Sequence, residues 1–182
     1  MKYLFSLFVV SVVLMVAGCS DTGTDLTPVA PKLEELPNLS EQTVPFNGSM
    51  KGYVNLGGSA SCGTGWTAVT TEAEGEVLHC GRSTLSGENC SQATSTQGGI
   101  VENGFVKITA ADGDTIYVTY SGTYVFDTYP PTMSTFSLTG TIVGGTGTFE
   151  GATGSIDIEA VQDFTTGSPW PTSINWTGII NY

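Results

Sequence analysis

The sequence has few basic residues and little charge of either sign. Only 5 of its 182 residues are Lys or Arg, against 17 Asp or Glu, and charged residues make up 12% of the chain. A protein that binds nucleic acid needs clustered Lys and Arg to replace the counterions on the phosphate backbone. The composition therefore excludes nucleic acid as a partner, and the same shortage disfavours adhesion to anionic lipid headgroups.

Residue types that ligate metals or catalyse reactions are also scarce. His79 is the only histidine, and no Cys/His group has the spacing of a zinc site. The stretch Asp112-Gly113-Asp114 lacks the later ligand positions of a calcium loop, and its Asp-Gly pair more simply forms a hairpin turn. The sequence predicts no metal, no cofactor and no assignable catalytic residue.

A phosphate-binding loop is missing as well. The glycine-rich stretch 144–154, "GGTGTFEGATG", has neither the spacing of a dinucleotide fingerprint nor the terminal Gly-Lys-Ser or Gly-Lys-Thr of a Walker loop. A strand-like sequence follows it, so no helix N-terminus is available to hold an anion. We interpret the stretch as a corner of a sheet, in which Phe149 fills the core.

No segment after residue 45 has a sustained helical period, and alternating apolar and polar residues take its place. In "STFSLTGTI", Phe136, Leu138 and Ile142 fall on one face and threonines on the other. Such alternation, rich in β-branched residues, is typical of strands with one buried face. It predicts strands at 50–56, 66–71, 75–81, 104–110, 114–120, 134–142, 154–161 and 173–182. About eight antiparallel strands in one domain predict an all-β fold, a closed barrel rather than a sandwich, because closure removes sheet edges.

The N-terminal region is of a different kind. Residues 3–17 are almost wholly apolar, which is short for a membrane-spanning helix and suits a secretory signal. The stretch Val16-Ala17-Gly18-Cys19 resembles a bacterial lipobox, which implies a signal peptide at 1–18 and a lipid on Cys19. The alternative is an ordinary signal peptide with a chance cysteine. The composition of residues 19–44 predicts a flexible linker after the lipidated cysteine. Residues 45–182 form the predicted barrel domain.

Four stretches of the barrel region resemble one family. "VPFNGSMKG", "GEVLHCGRST", "ITAADGDTIYVTYSG" and "GGTGTFEGATGS" are similar, in this order, to motifs of the bacterial allene oxide cyclase barrel-like proteins, which are related in fold to plant cyclases and dirigent proteins. Cys80 and Asp112 depart from the usual Leu and Asn of these motifs. The resemblance implies an eight-stranded antiparallel barrel, but it implies little about activity, since fold does not fix function.

Four residues are candidate ligand contacts. His79 could be a polar group in the barrel mouth, or a hydrogen-bonded residue that pins a loop. Tyr117 and Tyr120 belong to an aromatic-rich segment, and Phe149 is the large side chain of the glycine-rich corner. Each aromatic could contact a ligand or could simply pack in the core.

Three cysteines remain if Cys19 carries lipid. Export makes a disulfide plausible, but three cysteines cannot all pair. We favour Cys80–Cys90, because a strand end and the following loop would lie at one end of the barrel. Cys62–Cys90 is the alternative, and one thiol stays free in either case.

The sequence leaves three functions open. The favoured one is a lipoprotein of the bacterial cell envelope, anchored by Cys19 and expected at the outer membrane because Ser20 follows the cysteine. Its barrel would bind a small apolar ligand or a partner protein. The second is an isomerase or cyclase that acts on a fatty-acid-derived substrate, with His79 or Glu102 as its polar residue. The third is a structural module that forms homo-oligomers and has no cavity.

Overall fold

The computed structural model describes residues 42–182. The predicted signal peptide, Cys19 and the predicted linker as far as residue 41 lie outside these residues. The described chain forms eight strands that close into one barrel in sequential order. They are β1 (Thr43–Leu56), β2 (Thr67–Val77), β3 (Gly81–Ser95), β4 (Gly98–Ala110), β5 (Thr115–Phe126), β6 (Met133–Gly145), β7 (Thr153–Asp163) and β8 (Trp170–Asn181). The predicted all-β antiparallel barrel is confirmed.

Closure depends on the first and last strands. β1 pairs antiparallel with β2 on one side and with β8 on the other, from Thr43↔Asn181 to Val54↔Trp170. No edge strand is therefore left in the sheet. Within residues 42–182, none of the helical segments has the length and apolar character needed to cross a lipid bilayer.

The two ends of the barrel differ. We call one end the mouth; it carries the loops 57–66, 96–97, 127–132 and 164–169. The other, the plugged end, carries the turns 78–80 and 111–114 and the corner 146–152. A 3₁₀ turn at Gly147–Phe149 in this corner places the Phe149 ring, 3% exposed, in the core. The plug is completed by the buried side chains of Phe46, Ile116, Ile142 and Ile180.

The glycine-rich stretch is a corner, as its sequence indicated. It joins β6 to β7 and contains no helix other than the single 3₁₀ turn. Gly147 and Gly151 have φ angles of +58° and +76°, a left-handed backbone that favours glycine. Asp114 accepts a hydrogen bond from the Thr148 amide at 2.8 Å, which fixes the corner against the 111–114 turn.

One strand was not predicted. The predicted strands at 66–71 and 75–81 both fall on β2 and the turn after it, whereas β3 has no counterpart among the predictions. The inward positions of β3 include Gly87, Asn89 and Ser91, so the strand has no run of buried apolar residues at every second position. The alternation on which the prediction depended is therefore absent from this strand.

The preferred disulfide is also wrong. The bond joins Cys62 to Cys90, and Cys80 is the one free cysteine among the described residues. Cys80 lies in the turn before β3 and Cys90 lies ten residues further on, near the mouth, so about 30 Å of extended strand separates them. Cys62 lies in the 57–66 loop at the mouth and reaches Cys90. Burial against the core raises the pKa of the Cys80 thiol to about 11, with a smaller contribution from Asp112.

Candidate functional site

The mouth half of the barrel contains a cavity of about 270 Å³. All eight strands contribute to its wall, from Val54 on β1 to Trp176 on β8. Aliphatic and aromatic residues make up most of the wall, and its aliphatic part includes Leu85, Val101, Val106, Leu138, Ile158 and Ile174. Several inward residues of the mouth half are small, such as Gly87, Ala93 and Ala160, and the side chains do not fill this half.

Aromatic side chains line one side of the mouth. The ring centroid of Tyr124 lies 5.3 Å from those of both Phe126 and Phe136. The ring centroid of Phe164 lies 6.1 Å from that of Phe126 and 5.2 Å from that of Trp170. These separations are typical of aromatic pairs that stabilise each other by edge-to-face or tilted contact. Because Phe164 is the first residue of the 164–169 loop and Trp170 directly follows this loop, the aromatic row also fixes the loop beside the entrance.

A first polar group lies on the β3 side of the cavity. The Tyr120 hydroxyl donates to Asn89 Oδ1 at 3.2 Å, and Asn89 Nδ2 donates to Ser91 Oγ at 2.8 Å. Tyr120 on β5 reaches across β4 because Gly104 has no side chain there; an added Cβ would lie 2.5 Å from the tyrosine ring. The ladder is irregular at Glu88/Cys90 and at Val101/Gly104, on both sides of this crossing.

A second polar group lies on the opposite wall. Ser134, Gln162 and Thr172 are 1%, 5% and 7% exposed and all line the cavity. The Thr172 hydroxyl donates to the Val161 carbonyl at 3.1 Å. Ser134 Oγ has no hydrogen-bond partner among residues 42–182, and the same is true of Trp176 Nε1. The indole edge of Trp176 lies against Gly48, where an added Cβ would be 3.3 Å from Cδ1.

The cavity wall is electrically neutral. None of its described lining residues is Asp, Glu, Lys, Arg or His. Burial raises the pKa of Tyr120 well above its usual range and also raises the pKa of Tyr124, so both phenols stay protonated. The wall can therefore pack against apolar surface and can donate or accept neutral hydrogen bonds.

The predicted ligand contacts are distributed over three places. Tyr120 lines the cavity. Tyr117, three residues earlier on the same strand, lies on the outer face and stacks on Phe105 at 6.0 Å. Phe149 belongs to the plug and contacts Tyr182 edge-to-face at 5.6 Å. The structure thus brings only one of these three aromatics to the cavity.

His79 lies in the 78–80 turn at the plugged end and is exposed. Its Nε2 is 3.0 Å from the Pro45 carbonyl oxygen, and its ring contacts Tyr182 edge-to-face at 6.4 Å. The predicted strand at this position is wrong, since His79 has a φ angle of +71° within the turn. These contacts tie the turn to the start of β1 and to the residue after β8, at the end of the barrel opposite the mouth.

The acidic residues that suggested calcium have other contacts. Asp112 accepts a hydrogen bond from the Asp114 amide within the 111–114 turn, and Asp114 caps the corner through Thr148. Glu102 is exposed on the outer side of β4. In the part of the chain that the structure describes, no group of three or more His, Cys, Asp or Glu could hold a metal ion.

Asn89, Ser134 and Gln162 are three of the polar cavity residues that were not predicted from the sequence. Ser134 and Gln162 continue the inward positions of predicted strands, because they follow the same alternation as Phe136 and Leu138 or Ile158 and Ala160. A polar residue at an inward position of an otherwise apolar strand was thus a signal for the cavity wall. Asn89 carried no such signal, since its strand was not predicted.

Comparison with known proteins gives weak likenesses only. No family model matches the chain, and no curated protein matches it. Among solved structures, it is similar to the pterocarpan synthase dirigent protein PsPTS1 with a TM-score of 0.45 and 11% identity, over 78% of this chain and 96% of that one. It is also similar to the pterocarpan synthase dirigent protein GePTS1, with a TM-score of 0.30 and 10% identity, over 78% of this chain and 86% of that one. The fold assignment therefore depends on the strand pairing of this chain itself.

Proposed function

We propose that this protein binds one small, neutral and mainly apolar molecule inside the barrel. The observation that carries the proposal is the neutral cavity of about 270 Å³ at the mouth, with aliphatic and aromatic walls and two small polar groups. Binding sites for small molecules are typically apolar pockets with a few placed polar groups. Burial of apolar ligand surface against such walls supplies the main favourable free energy.

The size of the cavity limits the ligand. An apolar cavity of about 150 Å³ holds one benzene molecule. A volume of about 270 Å³ therefore suits a molecule of about ten to twelve non-hydrogen atoms. A longer molecule would extend out of the cavity through the mouth.

Binding is favoured over an isomerase or cyclase function and over a purely structural module. The two residues that the sequence offered for acid–base chemistry, His79 and Glu102, lie outside the cavity. A structural module needs no cavity, whereas an unfilled space lined by large side chains costs folding stability that a bound ligand would restore. Homo-oligomers of the ligand-binding barrel are compatible with this function.

Native mass spectrometry of the protein purified from its own cells tests this function. We expect a mass increment corresponding to one small molecule on the wild type. Ala160→Trp, which puts an indole into the cavity from β7, should lose the increment. The matched control is Thr135→Trp on the exposed outer face of β6. The same increment on the wild type and on Ala160→Trp, or no increment on either, would argue against the function. The same spectra report the number of chains per particle.

We also propose that the barrel is held at the bacterial cell envelope, at the outer membrane, by lipid on Cys19. The support is the lipobox-like sequence Val16-Ala17-Gly18-Cys19 and the following Ser20. Several acyl chains would anchor the protein stably, at about 0.8 kcal/mol for each buried CH₂ group. Metabolic labelling with palmitate should mark the wild type and leave Cys19→Ser unmarked, with Cys80→Ser as the matched control. Equal labelling of Cys19→Ser would refute the anchor.

A further inference from the structure

Three polar side chains form a continuous strip across neighbouring strands in the cavity wall. Ser134 on β6 is directly paired with Gln162 on β7, and Gln162 is directly paired with Thr172 on β8. Directly paired residues have Cβ atoms about 5 Å apart on the same face of the sheet. The three side chains therefore lie side by side on the inner face of the barrel wall.

The hydrogen bonds of the strip are incomplete. Thr172 uses its hydroxyl hydrogen on the Val161 carbonyl, so its oxygen faces the cavity only as an acceptor. Ser134 is 1% exposed, and its Oγ has no partner within residues 42–182. A buried hydroxyl without a partner is destabilising, and most buried polar groups are hydrogen-bonded. The strip therefore has a free donor in Ser134 that the barrel itself does not use.

The first polar group does not have this property. The Tyr120 hydroxyl donates to Asn89 Oδ1 and Asn89 Nδ2 donates to Ser91 Oγ, so the Tyr120 hydroxyl hydrogen is engaged. Trp176 also has an indole N–H without a partner among the described residues, but its edge lies against the barrel wall at Gly48. The strip at Ser134, Gln162 and Thr172 is thus the part of the wall best suited to orient a ligand.

We propose that this strip is the polar subsite of the cavity, where Ser134 donates a hydrogen bond to a carbonyl or hydroxyl oxygen of an otherwise apolar, neutral ligand. The inference rests on the proposed binding function and adds the chemical class of the ligand. A carboxylate is disfavoured, because the wall has no cation to compensate a buried negative charge. A pure hydrocarbon would leave the Ser134 hydroxyl unpaired.

The test uses three probes on one bicyclic frame that fits the cavity. They are 2-decalone, its isostere 2-methylenedecalin, in which CH₂ replaces the carbonyl oxygen, and decalin-2-carboxylate. Dissociation constants come from amide chemical-shift titrations of the full chain. The variants are Ser134→Ala and the control Ser83→Ala, a serine that is 2% exposed, lies outside the cavity and is hydrogen-bonded to the Gly81 carbonyl.

We expect Ser134→Ala to weaken 2-decalone binding about three- to ten-fold, the typical effect of one neutral hydrogen bond. Binding of 2-methylenedecalin should stay unchanged, Ser83→Ala should affect neither probe, and the carboxylate should bind at least about ten-fold more weakly than the ketone. Equal loss for both neutral probes in Ser134→Ala, or no loss for 2-decalone, would overturn the subsite but leave the binding function intact. If neither neutral probe binds to the wild type, the binding function and the subsite both fail.

Discussion

The buried hydroxyl of Ser134 in the cavity wall leads to a prediction about stability. Its hydroxyl is buried without a partner among the described residues, in a position where alanine would fit. We predict that Ser134→Ala raises the free energy of unfolding of the ligand-free protein by about 1 kcal/mol, because an unpaired buried hydroxyl is removed. Urea unfolding measures the change. Ser83→Ala should act in the opposite sense, since it loses the bond to Gly81. A less stable Ser134→Ala would contradict the assignment.

Gly104 is required by a close approach rather than by its backbone angle. The Tyr120 ring crosses β4 at this glycine, and an added Cβ would be 2.5 Å from ring atoms Cδ2 and Cε2. We predict that Gly104→Ala lowers the free energy of unfolding by about 1–3 kcal/mol, the usual effect of overpacking. Gly63→Ala is the control, because its nearest neighbour would be Trp66 Cδ1 at 3.8 Å. Equal stability of the two variants would show that Tyr120 does not depend on Gly104.

The strands of the barrel differ in how readily the sequence predicts them. β6 and β7 were predicted because their inward residues at the plugged end and middle are large and apolar, such as Leu138, Ile142 and Ile158. β3 was missed because its inward residues near the mouth are glycine, asparagine and serine. These residues interrupt the apolar pattern that identifies a strand. A strand whose inward residues are small or polar is thus harder to predict than one whose inward residues are apolar.

The disulfide joins the 57–66 loop to β3. Cys62 and Cys90 are separated by 28 residues in sequence. In the chain-entropy account, closing a loop of this length stabilises the folded protein by about 3–4 kcal/mol. We predict a loss of this order for Cys62→Ser combined with Cys90→Ala in urea unfolding. Cys80→Ser should leave stability within about 1 kcal/mol of the wild type, and an effect of Cys80→Ser as large as that of the double variant would contradict the pairing.

The 127–132 loop is held by one carboxylate. Asp127 accepts hydrogen bonds from the Thr132 hydroxyl and the amides of Met133 and Thr132, which hold its pKa well below the usual value of 3.8. The pKa of Asp127 is lower in the folded state than in the unfolded state. Its carboxylate therefore stabilises the fold above the unfolded-state pKa, and this contribution is lost as the pH falls from there through the folded-state pKa. We predict that the stability of Asp127→Asn falls less than that of the wild type between about pH 5 and pH 2. Parallel pH profiles would refute this role.

The interior of the whole barrel has one filled end and one end with a cavity. Phe46, Ile116, Ile142, Phe149 and Ile180 fill the plugged end, and the mouth half stays open. β1 begins at the plugged end, so the chain enters the barrel away from the mouth. The closed all-β architecture could be predicted from strand count and alternation. The position of the cavity could not, because it depends on which strand ends meet once the barrel is closed.

Isothermal titration of the wild type with 2-decalone tests the claim that the mouth half of the barrel binds a small neutral molecule. We expect saturable binding of one molecule per chain, retained in the outer-face control Thr135→Trp and abolished in Ala160→Trp, whose new side chain occupies the cavity. Unsaturable uptake, or equal binding by Ala160→Trp and the wild type, would contradict the claim.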